Sequence, residues 1–389
     1  MPETTTLETA AAASAPMLKV MTIFGTRPEI IRLSRVIDRL DRFADHLLVH
    51  TGQNYDYELN QIFFEELGIR RPDHFLEAVG DTLAATIGNI IAKIDPLLER
   101  EAPEAVLILG DTNSSLVAIP ARRRHIPIFH MEAGNRCFDA RVPEETNRKI
   151  VDHIADINLP YSELARQNLM REGLPTDRVI TTGSPMAEVL AHYRASIDAS
   201  DVLDRLGLAA GCYFVVSAHR EENVDAPERL DLLGELLNNL AAEFDCPVVM
   251  SLHPRTRKRL EATGIAVDPR VQLLKPLGFF DYVQLQMHAR VTLSDSGTIS
   301  EESSILDFPA LNLRETHERL EGMEEGAVMM VGLSWARVRQ AIAILDAQPR
   351  GEARLLRPVA DYLAPNVSDK VLRIVLSYTD YVNRVVWQK

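Results

Sequence analysis

The stretch LKVMTIFGTRPEIIRLSRVIDRL, residues 18–40, joins two patterns that together indicate the fold class. Residues 18–24 are mostly apolar and partly β-branched, which is typical of a strand that is buried on both faces. Residues 29–40 repeat apolar side chains at helical spacing, and Pro28 suits the first turn of a helix. A buried strand followed at once by an amphipathic helix indicates an α/β fold.

The same alternation recurs along the chain. Further strand candidates are LLVHT, AVLILG, IPIFHM and DINLP, and, after a polar helical region near residues 184–211, CYFVVSA, PVVMSL, VQLL, ARVTLSD, PALNL and AVMMVG. Since 389 residues suit two domains, we expect two doubly wound, Rossmann-like α/β domains at residues 18–185 and 186–367. The helical pattern of residues 368–389 has an apolar stripe and is expected to pack back onto the first domain.

Composition limits the class of partner. The net charge of -14 argues against a nucleic-acid-binding or anionic membrane-binding surface. Cys137, Cys212 and Cys246 have neither zinc-site nor disulfide-framework spacing, which favours a reducing cytosol, so we expect a cytoplasmic protein. Residues 1–17 lack the basic start of a signal peptide and are expected to form a disordered tail. No apolar run has the length of a membrane span.

Polar clusters follow the strand candidates in both halves of the chain. They are GTRPE, TGQNYDYE, GDTNSS and EAGNR in the first half, and AHREEN, HPRTRKR, SDSGTISEE and RETHERLE in the second. Ligands of doubly wound sheets bind outside the carboxyl ends of the strands. These loops therefore predict an active cleft between the two domains.

Two loops suggest phosphate binding, and each has a simpler structural explanation. Ser296 and Gly297 stand where a helix should begin, so their N–H groups could bind phosphate, although an ordinary cap by Ser296 or Thr298 would give the same pattern. Arg27 suits bidentate phosphate contact, but it could equally be a solvated side chain at a helix start. The chain has no G-x-G-x-x-G, Walker A or metal-ligand spacing.

Seven ordered motifs between residues 24 and 322 closely resemble the non-hydrolysing UDP-N-acetylglucosamine 2-epimerases. They are FGTRPEIIRL, TGQNYDYEL, LGDTNSSL, HMEAGNRCFDARVPEETNRKIVDH, SAHREEN, HPRTRKRL and SDSGTISEESSILDFPALNLRETHERLEG. The resemblance implies a GT-B-like pair of Rossmann-like domains, with a UDP-sugar in the cleft and UDP bound by the second domain. It also implies a homodimer with no cofactor or metal.

The family inverts C2 of a UDP-linked 2-acetamido sugar for surface polysaccharide synthesis. It eliminates UDP to leave a 2-acetamidoglycal and adds UDP back, which requires carboxylates on both faces of the sugar and cations at the diphosphate. The family's catalytic acids match Asp111, Glu132 and Glu144, and its catalytic histidine matches His219. Its substrate-binding residues match Arg27, Arg32, Arg148, Ser296, Gly297, Thr298, Glu302 and Arg319. Which acid serves which face stays open, and Glu145 is expected on a helix surface.

Departures from the family pattern concern the substrate and its regulation. Arg32 replaces the usual lysine, Thr298 replaces a glycine of the phosphate turn, and Leu320 replaces a proline. Residues 53–56, QNYD, lack the QHRE-type stretch that supports activation by UDP-N-acetylglucosamine in some members, so we expect no such activation.

Several alternatives remain open. SDSGTISEESSIL and the C-terminal segment look most like a subgroup that acts on UDP-2-acetamido-2,6-dideoxy-L-talose and gives UDP-N-acetyl-L-fucosamine. A GT-B glycosyltransferase would share the fold, since fold does not fix function. A regulator that binds a sugar nucleotide without turnover would share the binding loops, but it would have no use for three acids.

Overall fold

The computed structural model describes residues 17–52, 57–224, 226–252, 257, 259–260, 264–316 and 319–389. The expected tail lies, apart from Met17, outside the described residues. Two six-stranded sheets are present, and all their neighbouring strands are parallel. The expected α/β fold of two doubly wound domains is confirmed.

The first sheet has the order β3-β2-β1-β4-β5-β6 and the second β12-β11-β10-β7-β8-β9. The strands of the first are β1 Lys19–Phe24, β2 Asp45–His50, β3 His74–Phe75, β4 Ala105–Leu109, β5 Ile128–Met131 and β6 Ile157–Leu159. Those of the second are β7 Phe214–Ser217, β8 Val248–Ser251, β9 Val271–Leu274, β10 Val291–Ser294, β11 Ala310–Asn312 and β12 Met329–Met330. Only the two-residue strand β3 among these has no counterpart in the expected strands.

Helices cover the faces of both sheets. Those described up to residue 192 are α1 Arg27–Phe43, α2 Tyr57–Glu66, α3 Leu83–Glu101, α4 Ala118–Arg123, α5 Pro143–Ile154, α6 Glu163–Arg171 and α7 Met186–His192. The later ones are α8 Arg194–Asp198, α9 Val202–Leu206, α10 Glu221–Val224, α11 Pro227–Phe244, α12 Phe279–His288, α13 Ile299–Leu306, α14 Leu320–Glu324, α15 Trp335–Ala347 and α16 Val367–Val385. No helix of the described residues is long and apolar enough to cross a membrane.

Strand β1 shows why both faces of the first sheet are covered. Val20 and Phe24 belong to the core cluster that includes α1, whereas Met21 and Ile23 belong to the cluster that includes α3. All four side chains are at most 1% exposed. Successive side chains of a strand point to opposite faces, so a continuous apolar run requires helices on both sides.

The last helix, α16, packs against α1 of the first domain. Val371 and Val375 of α16 lie in the same core cluster as Leu33 and Ile37 of α1. Just before α7, at the predicted boundary between the domains, the backbone N–H of Ser184 donates to the carbonyl of Asp361, 3.0 Å away. The end of the chain therefore completes the apolar cover of the first sheet.

The strand order reverses between β1 and β4 in the first sheet and between β7 and β10 in the second. Ligands of such sheets bind at these reversal points, beyond the carboxyl ends of the strands. Arg27 begins the helix that follows β1, Asp111 lies in the loop after β4, and the loops after β7 and β10 carry His219 and Ser296. The topology thus brings sequence-predicted residues to the reversal point of each sheet.

Candidate active site

Four charged side chains, three buried and one nearly buried, meet between the domains. Arg32 of α1 contacts the carboxylate of Glu132 after β5, and its second terminal nitrogen lies 3.1 Å from Glu301 of α13. Arg319, just before α14, donates to Glu132 at 2.5 Å and lies 3.3 Å from Glu301. These four side chains, called the interdomain charge cluster below, are each at most 10% exposed. Each domain supplies one arginine and one glutamate, so the formal charges balance.

Glu132 has a left-handed backbone with φ +63°, which is unusual for a residue with a side chain. Its N–H donates to the carbonyl of Leu159 at 3.1 Å, which fixes the chain at the end of the sheet. Gly110, after the adjacent strand β4, has φ +71°, and a Cβ there would lie 3.5 Å from Glu132 Oε2. Strained backbone of this kind occurs often at functional sites. The geometry turns the Glu132 carboxylate toward the loop that carries Asp111.

Asp111 is held by Arg148 of α5. Arg148 donates to Asp111 Oδ2 from Nε at 2.9 Å and from Nη2 at 2.6 Å. The amide of Asn147, on the same helix, donates to the carbonyl of Asp111 at 3.0 Å. The loop after β4 and the first turns of α5 therefore form one polar unit.

Glu145 does not lie on the helix surface, so that expectation is wrong. Its residue exposure is 2%, and its Oε2 lies 3.1 Å from Arg148 Nη1. The same oxygen accepts from the N–H of Cys137 at 3.2 Å. Glu145 is buried because the loop between Glu132 and Glu144 folds back over the first turn of α5.

Glu144 faces the second domain, where it meets a residue that the motifs did not single out. Its Oε1 lies 3.2 Å from Arg220 Nη1, across the cleft. The neighbouring His219 is half-exposed, and its Nδ1 lies 3.0 Å from Asp295 Oδ1. Burial alone would raise the pKa of Asp295, but His219 and hydrogen bonds, including one from Asn223, lower that pKa to about 2.

The turn at Ser296, Gly297 and Thr298 precedes α13, as the sequence indicates. Ser296 Oγ accepts from the N–H of Thr298 at 3.3 Å, and the two hydroxyl oxygens are 2.9 Å apart. Thr298 stands at the N-cap of α13 but makes no capping bond with its side chain. Glu302, one turn into the helix, accepts from Gln286 at 2.8 Å, and burial raises its pKa. Both features lie at the reversal point of the second sheet.

Arg27 begins α1, with its guanidinium carbon 5.7 Å from the ring centre of Phe63. Glu29, two residues further along α1, is buried, and the motifs did not single it out. Its Oε2 accepts from the N–H groups of Gly25 and Thr26 at 2.9 and 2.7 Å, and its Oε1 accepts from Thr112 Oγ1 at 2.9 Å. Burial raises the pKa of Glu29 to about 7, although these donors act to lower it.

The sequence-predicted residues thus fall into neighbouring groups. Glu132 contacts both Arg32 and Arg319. Asp111 pairs with Arg148. Glu144 contacts Arg220, the residue after His219, across the cleft. Residues 53–56, which bear on activation, lie outside the described residues. The residues that motif reasoning missed are Glu29, Arg220, Asp295 and Glu301, all within or next to the quoted motifs. In such an arrangement the carboxylates can exchange protons, and the arginines beside them can stabilise a departing anion.

Comparison with known proteins identifies the family of the chain. The family model described as UDP-N-acetylglucosamine 2-epimerase matches residues 38–376. A solved structure of UDP-N-acetylglucosamine 2-epimerase from Rickettsia bellii is 52% identical, with a TM-score of 0.88, and the match covers 96% of this chain and 100% of that one.

Two further relatives extend the comparison to other substrates and bound states. The Methanocaldococcus jannaschii UDP-GlcNAc 2-epimerase, solved in complex with UDP-GlcNAc and UDP, is 31% identical, with a TM-score of 0.86 and coverage of 93% and 100%. The UDP-2,3-diacetamido-2,3-dideoxy-D-glucuronate 2-epimerase of Pseudomonas aeruginosa is 34% identical over 89% of this chain and 99% of its own. The family match spans most of the chain, and the two-domain fold and the ordered motifs agree with it. The chain therefore belongs to the UDP-N-acetylglucosamine 2-epimerase family, whose members are isomerases.

Proposed function

We propose that this enzyme inverts C2 of a UDP-2-acetamido-2-deoxy sugar, with UDP-N-acetylglucosamine converted to UDP-N-acetylmannosamine. The observation that carries the proposal is the convergence of Asp111, Glu132 and Glu144 on the cleft, each beside an arginine. The solved relative with UDP-GlcNAc and UDP bound supports the substrate class. A plain sugar-binding site would not need three acids from two strand ends and a helix start.

The reaction we propose is elimination followed by re-addition. An enzyme carboxylate takes the proton from C2, the C1–O bond breaks with its electron pair leaving on UDP, and a C1–C2 double bond forms. UDP then bonds again to C1 of this 2-acetamidoglycal, and an acid returns a proton to C2 from the other face. Charge develops on the diphosphate and near C1, so preorganised cations and carboxylates stabilise the transition states.

We assign the proton transfers to Asp111, Glu132 and Glu144. His219 and the turn at residues 296–298 would bind the diphosphate, where the start of α13 favours negative charge. Glu302 would accept hydrogen bonds from the ribose hydroxyls. The remaining substrate contacts are assigned to Arg27, Arg32, Arg148 and Arg319. We further propose a cytoplasmic homodimer that requires no cofactor and supplies a precursor of surface polysaccharide.

The decisive experiment is incubation of the purified protein with UDP-N-acetylglucosamine in deuterated water, without an acceptor, followed by NMR. We expect the C2 epimer to form and to carry deuterium at C2, because the abstracted proton exchanges with solvent. A parallel incubation with UDP-2-acetamido-2,6-dideoxy-L-talose tests the 6-deoxy alternative by comparison of kcat/KM. Conversion only with an added acceptor would indicate a glycosyltransferase, and tight UDP binding without turnover of either sugar would indicate a regulator.

Variants of the three acids test their assignment. Asp111→Asn, Glu132→Gln and Glu144→Gln should each lower kcat on the order of a hundredfold or more, with UDP binding mostly retained, because each removes a proton-transfer group. Glu163→Gln is the matched control, since Glu163 is exposed on α6, and it should leave kcat unchanged. Near-normal turnover of all three variants would overturn the assignment.

A further inference from the structure

Glu301 is fully buried at the centre of the interdomain charge cluster, although no motif role attaches to it. Its side chain is 0% exposed. Its Oε1 accepts a hydrogen bond from the hydroxyl of Ser184, at the predicted boundary between the domains, and its Oε2 faces both Arg32 and Arg319. It lies in the first turn of α13, directly after the turn at residues 296–298. Glu301 therefore connects the predicted domain boundary at Ser184 and helix α13 with both arginines that contact Glu132.

The charges of the cluster explain why a second glutamate is present. Arg32 contacts one oxygen of Glu132 and Arg319 contacts the other. Two buried cations facing Glu132 alone would leave a net positive charge in the cluster, and positive charge beside a carboxylate opposes the transfer of a proton to it. Glu301 supplies the balancing negative charge within about 6 Å of Glu132, because the two carboxylates contact the same nitrogen of Arg319.

We propose, resting on the function proposed above, that Glu301 is a positioning residue that balances Arg32 and Arg319 and thereby keeps Glu132 able to accept and return a proton. The assignment concerns Glu301 alone and does not require it to touch the sugar. Its side chain acts through the two arginines and through their hold on Glu132. The other ionisable groups next to the cluster are Glu302 and Glu321, together with Tyr161 and Tyr362, whose hydroxyls stay neutral because burial raises the pKa of both.

The pH profile of kcat distinguishes charge balance from simple structural support. Glu301→Gln keeps the shape of the side chain but removes its charge, so the limb of the profile at which the proton acceptor loses activity should move to lower pH. At the effective dielectric of protein sites, one charge at about 6 Å shifts that limb by roughly one to two pH units. We expect kcat at neutral pH to fall by about tenfold or more, because a weaker base accepts the C2 proton less readily.

Two further variants serve as controls for this profile. Glu301→Asp retains the charge, so the limb should stay near its wild-type position even if kcat falls through poorer contact. Glu188→Gln removes a carboxylate that accepts a hydrogen bond from the N–H of Ser368 at 2.9 Å, and it should leave the profile unmoved. A Glu301→Gln profile that superimposes on the wild-type profile would overturn the proposal while leaving the epimerase assignment intact.

A stability cycle tests the same balance without reference to turnover. Glu301→Gln and Arg32→Gln should each lower Tm, on the order of 5 °C, because each leaves a buried charge without its partner. The double variant restores the balance and should lose clearly less than the sum of the two. Additive losses would contradict the charge-balance role of Glu301. If instead the wild-type protein turned over no UDP-sugar while the cycle was non-additive, the proposed function would fail and the charge balance would stand.

Discussion

At the scale of single residues, Glu29 shows how one carboxylate can organise two loops of the active site. It caps the start of α1 through Gly25 and Thr26 and reaches the loop after β4 through Thr112. Thr112 directly follows Asp111 and caps the short 3-10 turn Asn113–Val117. The position of Asp111 in the cleft therefore depends partly on Glu29.

The raised pKa of Glu29 predicts a pH-dependent stability. With a folded pKa of about 7 and an ordinary value near 4.5, the folded state binds a proton that the unfolded state releases between these values. The stabilising effect is full below the unfolded pKa and is lost as the pH rises through 7. From pH 7.5 to 5.5, the free energy of unfolding of the wild type should rise by about 2 kcal/mol relative to Glu29→Gln.

Urea unfolding of the two proteins at several pH values measures this difference. Glu29→Gln is a suitable partner because an amide can keep most of the hydrogen bonds but does not titrate. Parallel stability curves across this range would mean that the hydrogen-bond donors outweigh burial and that Glu29 stays ionised.

Motif position predicted that the candidate site residues lie near one another at the sheet ends, but it did not predict their partners. Asp111, Glu132 and Glu144 were identified because polar residues follow strands and because they match the family. Glu145 and Glu301 are more deeply buried than the pattern suggests. Glu145 pairs with Arg148 on its own helix, whereas Glu301 pairs with Arg32, which is 269 residues away in sequence, and no local pattern encodes that second pairing.

At the scale of elements, the apolar strands predicted both sheets because continuous burial leaves a clear signal in sequence. The two-residue strand β3 was not expected, since so short an edge strand carries almost no pattern. Helix α16 has a stronger signal, because its apolar stripe leaves the opposite face to solvent. Val375 is 1% exposed and its neighbour Leu376 is 60% exposed.

This contrast between Val375 and Leu376 gives a paired test of the packing of α16 on α1. Val375→Ala should lower the free energy of unfolding by about 2 kcal/mol, through lost burial and the cavity that remains. Leu376→Ala should change it by less than about 0.5 kcal/mol. Equal losses in chemical unfolding would show that the buried stripe of α16 does not support the first domain.

At the scale of the whole molecule, the sequence predicts that the enzyme is not activated by UDP-N-acetylglucosamine. The family resemblance predicts that Asp56 would add an acid where the diphosphate of an activator approaches, and like charges repel by a few kcal/mol at the effective dielectric of protein sites. Allosteric coupling typically amounts to about 1–3 kcal/mol, so this repulsion is large enough to abolish it. Residues 53–56 lie outside the part of the chain that the structure describes, so this argument uses their chemistry alone.

We expect hyperbolic kinetics and a reverse reaction, from the manno epimer, that needs no added activator. Initial rates measured with the pure manno epimer, before product accumulates, provide the test. A lag or a silent reverse reaction that a trace of UDP-N-acetylglucosamine relieves would show that an activator site exists.

The packing of α16 on α1 also has a consequence for the order of folding during synthesis. Residues 367–385 leave the ribosome only after the second domain has been made, yet they complete the cover of the first sheet. The first domain must therefore wait, with part of the apolar face of α1 unprotected, while more than 150 further residues are translated. Contacts between such distant parts of a chain form slowly, and exposed apolar surface promotes aggregation in the meantime. A nascent chain of this protein should thus depend on chaperones most strongly just before its last helix emerges.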